Sequence, residues 1–166
     1  MKNVVTRKST RLKEYDYSSN GAYFVTICVK DKRCLLGKFV GARFIASEYG
    51  NIVNEEINKI ESNHQNILLD KYIIMPNHIH MIIRIDNGFC RGDIYDARGM
   101  AGSMNRTPTI GGIVRAFKAR VSYKLKISLW QRSFYDHIIR NENDYQKIWK
   151  YIDENLIMWE LDEYYE

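Results

Sequence analysis

Two apolar periodicities divide the first half of the chain into elements. Aromatic and β-branched residues fill Tyr23–Val29 and predict a buried strand. The segment Phe39–Ala46, interrupted by Gly41, predicts a short hairpin. Apolar residues recur at helical spacing within residues 50–63, with charged residues on the other faces, and this pattern predicts an amphipathic helix.

The middle of the chain predicts two strands and a long loop. Tyr72–Met75 and His78–Ile85 are extended apolar runs, and the Pro76-Asn77 pair between them favours a tight turn because proline cannot donate to a sheet. Residues 86–108 contain four glycines and few aliphatic side chains. Such a composition is typical of a loop that either serves a ligand or is a disordered insertion.

Two helices flank one strand in the last part of the chain. Thr109 can cap a helix whose apolar positions are separated by three and four residues, namely Ile110, Ile113, Val114, Phe117 and Val121. Phe134–Arg140 predicts a strand. A final helix is expected from Asn141 or Asn143 to about Ile157, with a buried stripe that comprises Tyr145, Ile148, Trp149 and Ile152.

The order of elements, β, α, β, β, α, β, α, predicts an α+β fold. It fits an antiparallel sheet with helices packed on one face, of the split βαβ or ferredoxin-like (RRM-like) type, with an additional C-terminal helix. We expect a basic N-terminal arm over residues 1–20 and a single domain over residues 21–166 that is long enough to bury a core.

Composition restricts the class of protein. Three cysteines, Cys28, Cys34 and Cys90, lack CxxC spacing, which favours a reducing compartment over a zinc ribbon. No apolar run approaches the length of a bilayer span, and the N-terminus has no apolar signal core. We therefore expect a cytoplasmic protein without a membrane partner.

Positive charge is concentrated in two regions of a chain whose net charge is +5. Residues 1–43 hold ten Lys and Arg against three acids, and residues 109–140 hold seven against one. The segment 141–166 reverses the balance, with eight acids and two lysines. One strongly positive surface would favour a polyphosphate backbone, although the basic residues could also simply solvate a helix and an arm.

His78 and His80 are the first candidates for chemistry. Side chains alternate between the two faces of a strand, so these histidines point the same way, about 7 Å apart along the strand. Two adjacent imidazoles supply half a metal site or an acid–base pair. A pair of core or surface histidines without such a role is the alternative.

A second group of candidates lies on the final helix. Lys147, Tyr151 and Asn155 are four residues apart in sequence and line one face together. Tyr151 lies about 100° around the helix from Ile152 and roughly 160° from Trp149, away from the buried stripe. It is therefore available for chemistry, although an ordinary surface tyrosine is the alternative in a chain with twelve of them.

The two groups complete each other chemically. A phenol has a pKa near 10, so only about one molecule in a thousand is ionised at neutral pH, and a tyrosine nucleophile needs an activated electrophile. A divalent metal on His78 and His80, with Mg²⁺ or Mn²⁺ expected, would activate a phosphodiester for in-line attack. Lys147 would favour the phenolate, and Asn155 could supply a third, oxygen ligand.

The ordered motifs resemble those of the REP-associated tyrosine transposases, which belong to the HUH single-tyrosine transposases. The resemblance extends from Tyr23 to Trp159 and is carried by Met75–Ile83, Ile110–Val121, Trp130–Glu142, Asp144-Tyr145 and Tyr151-Ile152.

The resemblance implies a ferredoxin-like catalytic domain that binds single-stranded DNA beside a hairpin, as a monomer or a homodimer. It implies a metal-assisted attack by Tyr151 that leaves a 5′-phosphotyrosine and a free 3′-hydroxyl, which rejoining reverses. Matched residue by residue, His78 and His80 correspond to the metal pair, Tyr151 to the nucleophile, and Asn155 to the ligand on the helix.

Other residues are assigned to DNA or kept as rivals. We expect phosphate contacts from basic residues of three regions, namely Arg115, Lys118, Arg120, Lys124, Arg132, Arg140, Arg7, Lys8 and Arg11. His64 and His137 are weaker candidates for metal contact, with packing or hydrogen bonding preferred. The rival nucleophiles are Tyr135, Tyr145, Tyr164 and Tyr165.

Two other functions stay open at this point. One is a non-catalytic nucleic-acid-binding module on the same fold. The other is a histidine-based phosphoesterase or nucleotide hydrolase acting on small molecules. Families of the latter kind typically need a third histidine close in sequence or a second His-containing tetrapeptide, and this chain contains neither.

Overall fold

The computed structural model describes residues 15–41, 43–64, 66–88, 108–156 and 159. The strands are β1 (Gly21–Cys28), β2 (Gly37–Val40), β3 (Arg43–Ala46), β4 (Ile67–Ile74), β5 (His78–Ile85) and β6 (Tyr135–Ile139). The helices are α1 (Glu48–Asn58), α2 (Ile60–Asn63), α3 (Ile110–Leu125) and α4 (Glu142–Glu154). Within these residues, no helix combines the length and apolar composition that crossing a membrane requires.

Four strands form one antiparallel sheet in the order β4-β5-β1-β6, and β2 pairs with β3 in a separate hairpin. Helix α1 precedes β4 in the chain, and α3 connects β5 to β6. The sheet strands and these two helices therefore follow the split βαβ order, and the predicted α+β, ferredoxin-like class is confirmed.

One face of the sheet, which we call the packing face, lies under α1 and α3. Alternate residues of the central strands point to this face because side chains of a strand have a period of two. Its fully buried residues include Tyr23, Val25, Ile27, Ile79, Met81 and Ile83 from the sheet, with Val53 and Phe117 from the helices. Burial of each such side chain stabilises the fold by about 1.5–3 kcal/mol.

The opposite face, which we call the histidine face, carries α4. Phe24, Ile73 and Ile82 of the sheet form a smaller apolar cluster there. Ile152 of α4 is 1% exposed and packs into that cluster, with Tyr145 and Trp149 of the predicted stripe beside it. The predicted stripe is therefore the surface by which α4 contacts the sheet.

Polar contacts fix α4 to strand β4 of the same chain. Lys71 Nζ lies 2.5 Å from a carboxylate oxygen of Asp153 and 4.1 Å above the ring centre of Trp149. The Tyr145 hydroxyl donates to Asp70 at 3.0 Å. These contacts join both ends of α4 to neighbouring positions of one strand, so the helix has a defined position on the sheet.

Side-chain caps begin both long C-terminal helices, as predicted. Thr109 Oγ1 accepts a hydrogen bond from the backbone N–H of Gly112 at 3.1 Å. Asn141 Oδ1 accepts from the backbone N–H of Asp144 at 2.9 Å. Of the two asparagines considered for the start of α4, Asn141 is therefore the cap.

The largest differences from the predicted element boundaries lie at three places, and the others amount to one or two residues. Strand β4 begins at Ile67 rather than Tyr72, because a register shift between Leu69 and Lys71 breaks the alternation on which the prediction relied. The helix predicted over 50–63 is divided at Lys59, whose ψ of −2° departs from the helical value. Helix α4 ends at Glu154, before the predicted end at Ile157.

Parts of the predicted arm and loop lie outside the described residues, namely 1–14 and 89–107. The described end of the arm packs against the domain. The ring centres of Tyr15 and Tyr17 lie 6.3 and 6.2 Å from that of Tyr23.

Candidate metal and nucleophile site

The turn before β5 delivers two histidines to the histidine face. The backbone N–H of Met75 donates to the carbonyl of His78 at 2.9 Å, which closes the predicted tight turn. His78 and His80 are 0% and 1% exposed, and their Nε2 atoms lie 3.0 Å apart. The alternation argument therefore placed the two imidazoles correctly on one face.

Each imidazole is oriented by a partner at its other nitrogen. His78 Nδ1 lies 2.8 Å from Asn77 Oδ1, which is an acceptor, so His78 donates this hydrogen bond. Thr26 Oγ1 of β1 lies 2.8 Å from His80 Nδ1. Partners of this kind fix the ring orientation of metal-binding histidines, and they direct both Nε2 atoms to one point.

Burial favours the neutral form of this pair. Desolvation, and secondarily the neighbouring His78, lowers the pKa of His80 well below its usual value of 6.5. Metal ligation requires neutral imidazole. Two Nε2 lone pairs directed at each other would repel, so their close approach requires a shared proton or a cation between them.

The spacing of the pair fits a metal ion. Nitrogen ligands on adjacent corners of an octahedron with bonds of about 2.1 Å are about 3 Å apart, close to the observed separation of His78 and His80. In the part of the chain that the structure describes, no group of three or more His, Cys, Asp or Glu side chains could hold a metal ion. Among the described residues, a third ligand would therefore be of another type, such as the amide of Asn155.

Helix α4 brings Tyr151 to the histidines of the same chain. The Tyr151 hydroxyl lies 3.3 Å from His80 Nε2, and its ring makes an edge contact with His80 at 5.3 Å between centroids. Phe24 stacks on His80 at 5.1 Å between centroids and also makes an edge contact with Tyr151 at 6.0 Å. Tyr151 is 39% exposed, so its phenol touches the buried pair and also remains accessible to a substrate.

The two other candidates on α4 differ in their surroundings. Asn155 is only 3% exposed and follows Tyr151 by one helical turn. Lys147 precedes Tyr151 by one turn and is exposed. The predicted face of Lys147, Tyr151 and Asn155 therefore runs from solvent into the protein along the helix.

Trp159 covers the site and was missed by sequence reasoning. Its ring centre lies 5.9 Å from that of His78 and 6.1 Å from that of Phe39 in β2. Trp159 is 8% exposed although it follows the last turn of α4. A tryptophan close to a chain end has no periodic pattern around it, so the sequence contained no signal for this contact.

The rival tyrosines have other environments. The hydroxyl of Tyr145 is hydrogen-bonded to Asp70, and burial, followed by this hydrogen bond, raises the pKa of Tyr145 to about 12. Tyr135 begins β6 and pairs with Thr26, so a whole strand separates it from His80. Tyr164 and Tyr165 lie outside the described residues.

The predicted DNA-binding residues are divided among several places. Arg120 and Lys124 of α3 form ion pairs with the buried Glu56 of α1, on the side of the packing face, at 3.3 and 2.8 Å. Burial opposes ionisation of Glu56, but hydrogen bonds from Lys124 and Lys59 lower its pKa below the usual value. These cations therefore have a structural role in joining α1 to α3.

The remaining basic candidates fall into three groups. Lys118 donates to the carbonyls of Gln131 and Ser133, at 2.5 and 3.0 Å, so it anchors the loop before β6. Three arginines are exposed, namely Arg115, Arg132 and Arg140. The three candidates of the N-terminal arm, Arg7, Lys8 and Arg11, lie outside the described residues.

The two weaker histidine candidates are found away from the pair. His137 Nε2 lies 2.9 Å from a carboxylate oxygen of Asp144, which joins β6 to the first turn of α4. His64 follows α2, and burial, followed by the charge of Arg120, lowers its pKa. Hydrogen bonding, one of the roles preferred for these residues, is thus observed for His137.

Thr26 and Asn77 are site residues that sequence reasoning did not assign. Thr26 is a polar residue inside the apolar run of β1, and it is 1% exposed. A buried hydroxyl in a strand needs a hydrogen-bond partner, so this interruption of the apolar pattern was the available signal. Asn77 was assigned only to the turn.

Comparison with known proteins finds a relative by sequence and several solved structures by fold. No family model matches the chain. A protein of Haemophilus influenzae (strain ATCC 51907 / DSM 11121 / KW20 / Rd), described as "Uncharacterized protein", is 40% identical over 167 residues, which cover 96% of this chain and 93% of that protein.

One of the matching folds is that of a solved REP-associated tyrosine transposase bound to a REP hairpin. The TM-score is 0.61 at 19% sequence identity, over 88% of this chain and 73% of that chain. The resemblance inferred from the sequence motifs is thereby confirmed at the level of the fold.

Proposed function

This chain belongs to the same family as the Haemophilus influenzae protein, and from its transposase fold and its site we propose that it cleaves and rejoins single-stranded DNA through a 5′-phosphotyrosine intermediate. One observation carries the proposal. The Tyr151 hydroxyl lies 3.3 Å from Nε2 of His80, whose own partner His78 is 3.0 Å away. The candidate nucleophile and the two candidate metal ligands thus meet in one chain.

His78 and His80 would hold the metal, with Asn155 as the proposed third ligand. A divalent cation bound there, Mg²⁺ or Mn²⁺, would supply charge neutralisation of the phosphate oxygens and a fixed orientation of the phosphorus. The chain's own contribution is orientation: Thr26 and Asn77 fix the imidazoles at their Nδ1 atoms. Such preorganisation removes much of the entropic cost of reaching the reactive geometry.

Tyr151 performs the covalent step in this proposal. A bond forms between its phenol oxygen and the phosphorus, and the bond from phosphorus to the 3′ oxygen breaks. The phenol proton passes to solvent, and the departing 3′ oxygen takes up one proton to become a hydroxyl. Attack by that hydroxyl on the phosphotyrosine reverses the step and rejoins a strand.

Exposed charges on α4 and elsewhere on the described surface would assist in different ways. Lys147, one turn earlier on α4, favours the phenolate by its positive charge. Arg115, Arg132 and Arg140 are exposed and free to contact phosphates, which position a strand without reading its sequence. The substrate we propose is a DNA hairpin with a single-stranded flank, since the solved transposase of this fold is bound to a REP hairpin.

The test uses labelled DNA hairpins with a randomised single-stranded flank, incubated with the full chain and Mn²⁺. We expect an adduct that survives denaturing electrophoresis and is absent when a chelator removes the metal. Tyr151→Phe should bind the same DNA but form no adduct, because only the hydroxyl is lost. Tyr123→Phe, at a tyrosine that is 85% exposed on α3, is the matched control and should form the adduct.

Two results would contradict the proposal. An adduct formed by Tyr151→Phe would assign the nucleophile elsewhere. DNA binding by the wild-type protein, with no adduct at any flank sequence, would instead favour a non-catalytic nucleic-acid-binding module.

A further inference from the structure

Three residues on adjacent strands form a row across the histidine face. Thr26 of β1 pairs with His80 of β5 on one side and with Tyr135 of β6 on the other. Side chains of directly paired residues point to the same face of a sheet. Tyr135 therefore lies on the same face as the histidine pair, two strand spacings or about 10 Å from His80.

Exposure differs sharply along this row. His80 and Thr26 are each 1% exposed, whereas Tyr135 is 47% exposed. Strand β6 is at the edge of the sheet, and α4 contacts this strand at His137, two residues beyond Tyr135. An aromatic side chain is thus presented to solvent beside the buried pair.

The segment that carries Tyr135 is held by hydrogen bonds. The backbone N–H of Gln131 donates to the carbonyl of Cys28 at 2.9 Å. Lys118 donates to the carbonyls of Gln131 and Ser133. An aromatic residue on such a rigid support can contact a ligand with little loss of conformational entropy.

We propose that Tyr135 is a stacking platform for a nucleobase of the bound single strand, close to the phosphate that Tyr151 attacks. This inference rests on the proposed function, since it takes single-stranded DNA as the ligand. Every nucleobase has a π face, so the contact tolerates any sequence, and the exposed Arg132 three residues earlier is available to the adjoining phosphate. Tyr135 contacts substrate in this arrangement and takes no part in bond breaking.

The test compares two probes: a short fluorescent oligothymidine, and an abasic DNA backbone of the same length. Tyr135→Ala should weaken binding of the oligothymidine about tenfold and leave binding of the abasic backbone unchanged. Tyr135→Trp should restore the affinity. Tyr123→Ala is the matched control, because Tyr123 is 85% exposed on α3, and it should change neither affinity.

The outcomes separate this inference from the proposed function. Equal weakening of both probes by Tyr135→Ala would indicate a structural role and overturn the inference, as would the absence of any effect. The binding assay needs no cleavage, so a wild-type protein that forms no phosphotyrosine adduct would contradict the proposed function while leaving the test of Tyr135 decisive.

Discussion

The two faces of the sheet are built on different principles. The packing face is mostly apolar under α1 and α3, and ion pairs of the buried Glu56 with Arg120 and Lys124 join the two helices. The histidine face buries two imidazoles, a threonine hydroxyl and an amide under a single helix. The packing face is stabilised by the burial of apolar surface, whereas the histidine face orients polar atoms by hydrogen bonds.

The alternation of side chains along a strand explains how one sheet can support both an apolar core and a polar site. Because side chains alternate, Ile79 and Met81 pack into the larger core while His78 and His80 face the site from the same strand. Each histidine is therefore next in sequence to a residue buried in the larger core, and this neighbour holds the backbone of the histidine in place. Variants on the two faces should separate stability from ligand binding.

The largest effect is expected on the packing face. Phe117 is fully buried, so Phe117→Ala should lower the free energy of unfolding by about 3–5 kcal/mol, through lost burial and the cavity left behind. Urea denaturation measures it. The control Tyr123→Ala, on the same helix but 85% exposed, should change stability by less than about 0.5 kcal/mol. A small effect of Phe117→Ala would contradict the division between faces.

An effect of intermediate size, on metal affinity, is expected from a variant on the histidine face. Thr26→Val keeps the shape of the side chain but removes the hydroxyl 2.8 Å from His80 Nδ1. The affinity for Mn²⁺, measured by calorimetry, should fall about 10- to 100-fold, as is typical when the partner of a metal-binding histidine is lost. His80→Ala provides the reference for complete loss. Unchanged affinity in Thr26→Val would show that Thr26 does not orient the ligand.

The smallest effect concerns the pair that joins β6 to α4. The hydrogen bond from His137 lowers the pKa of Asp144 below its usual 3.8. A lowered carboxyl pKa stabilises the fold above the unfolded value, and this contribution is lost as pH falls through the folded value. The wild-type protein should lose stability as the pH falls from about 6 to about 3. In Asp144→Asn this loss should be smaller, by no more than about 1 kcal/mol. An unchanged acid dependence in urea denaturation would contradict this assignment.

Much of the fold followed from local pattern. The alternation after Pro76 predicted the shared face of His78 and His80, and the spacing on α4 predicted that Tyr151 would lie off the buried stripe. Both patterns lie within a single element. The face of the sheet on which α4 packs could not be predicted in this way, because it depends on contacts distant in sequence, such as that between Tyr145 and Asp70.

The candidate site was predictable only where its residues carry their own signal. Thr26 acts on a histidine more than fifty residues away in sequence, and only the strand register between β1 and β5 joins them. Residue type alone could not separate the basic residues of α3 that have structural contacts from those that are exposed. Lys118 and Lys124 look alike in the sequence, yet one holds a loop and the other neutralises Glu56.

The anchoring of α4 to β4 by Lys71 and Asp70 has a kinetic consequence. In the proposed reaction, the Tyr151 phenol and the imidazoles come from one polypeptide, so the candidate site would assemble in a unimolecular event. At a fixed DNA concentration, dilution of the protein should then leave the rate of adduct formation per molecule unchanged.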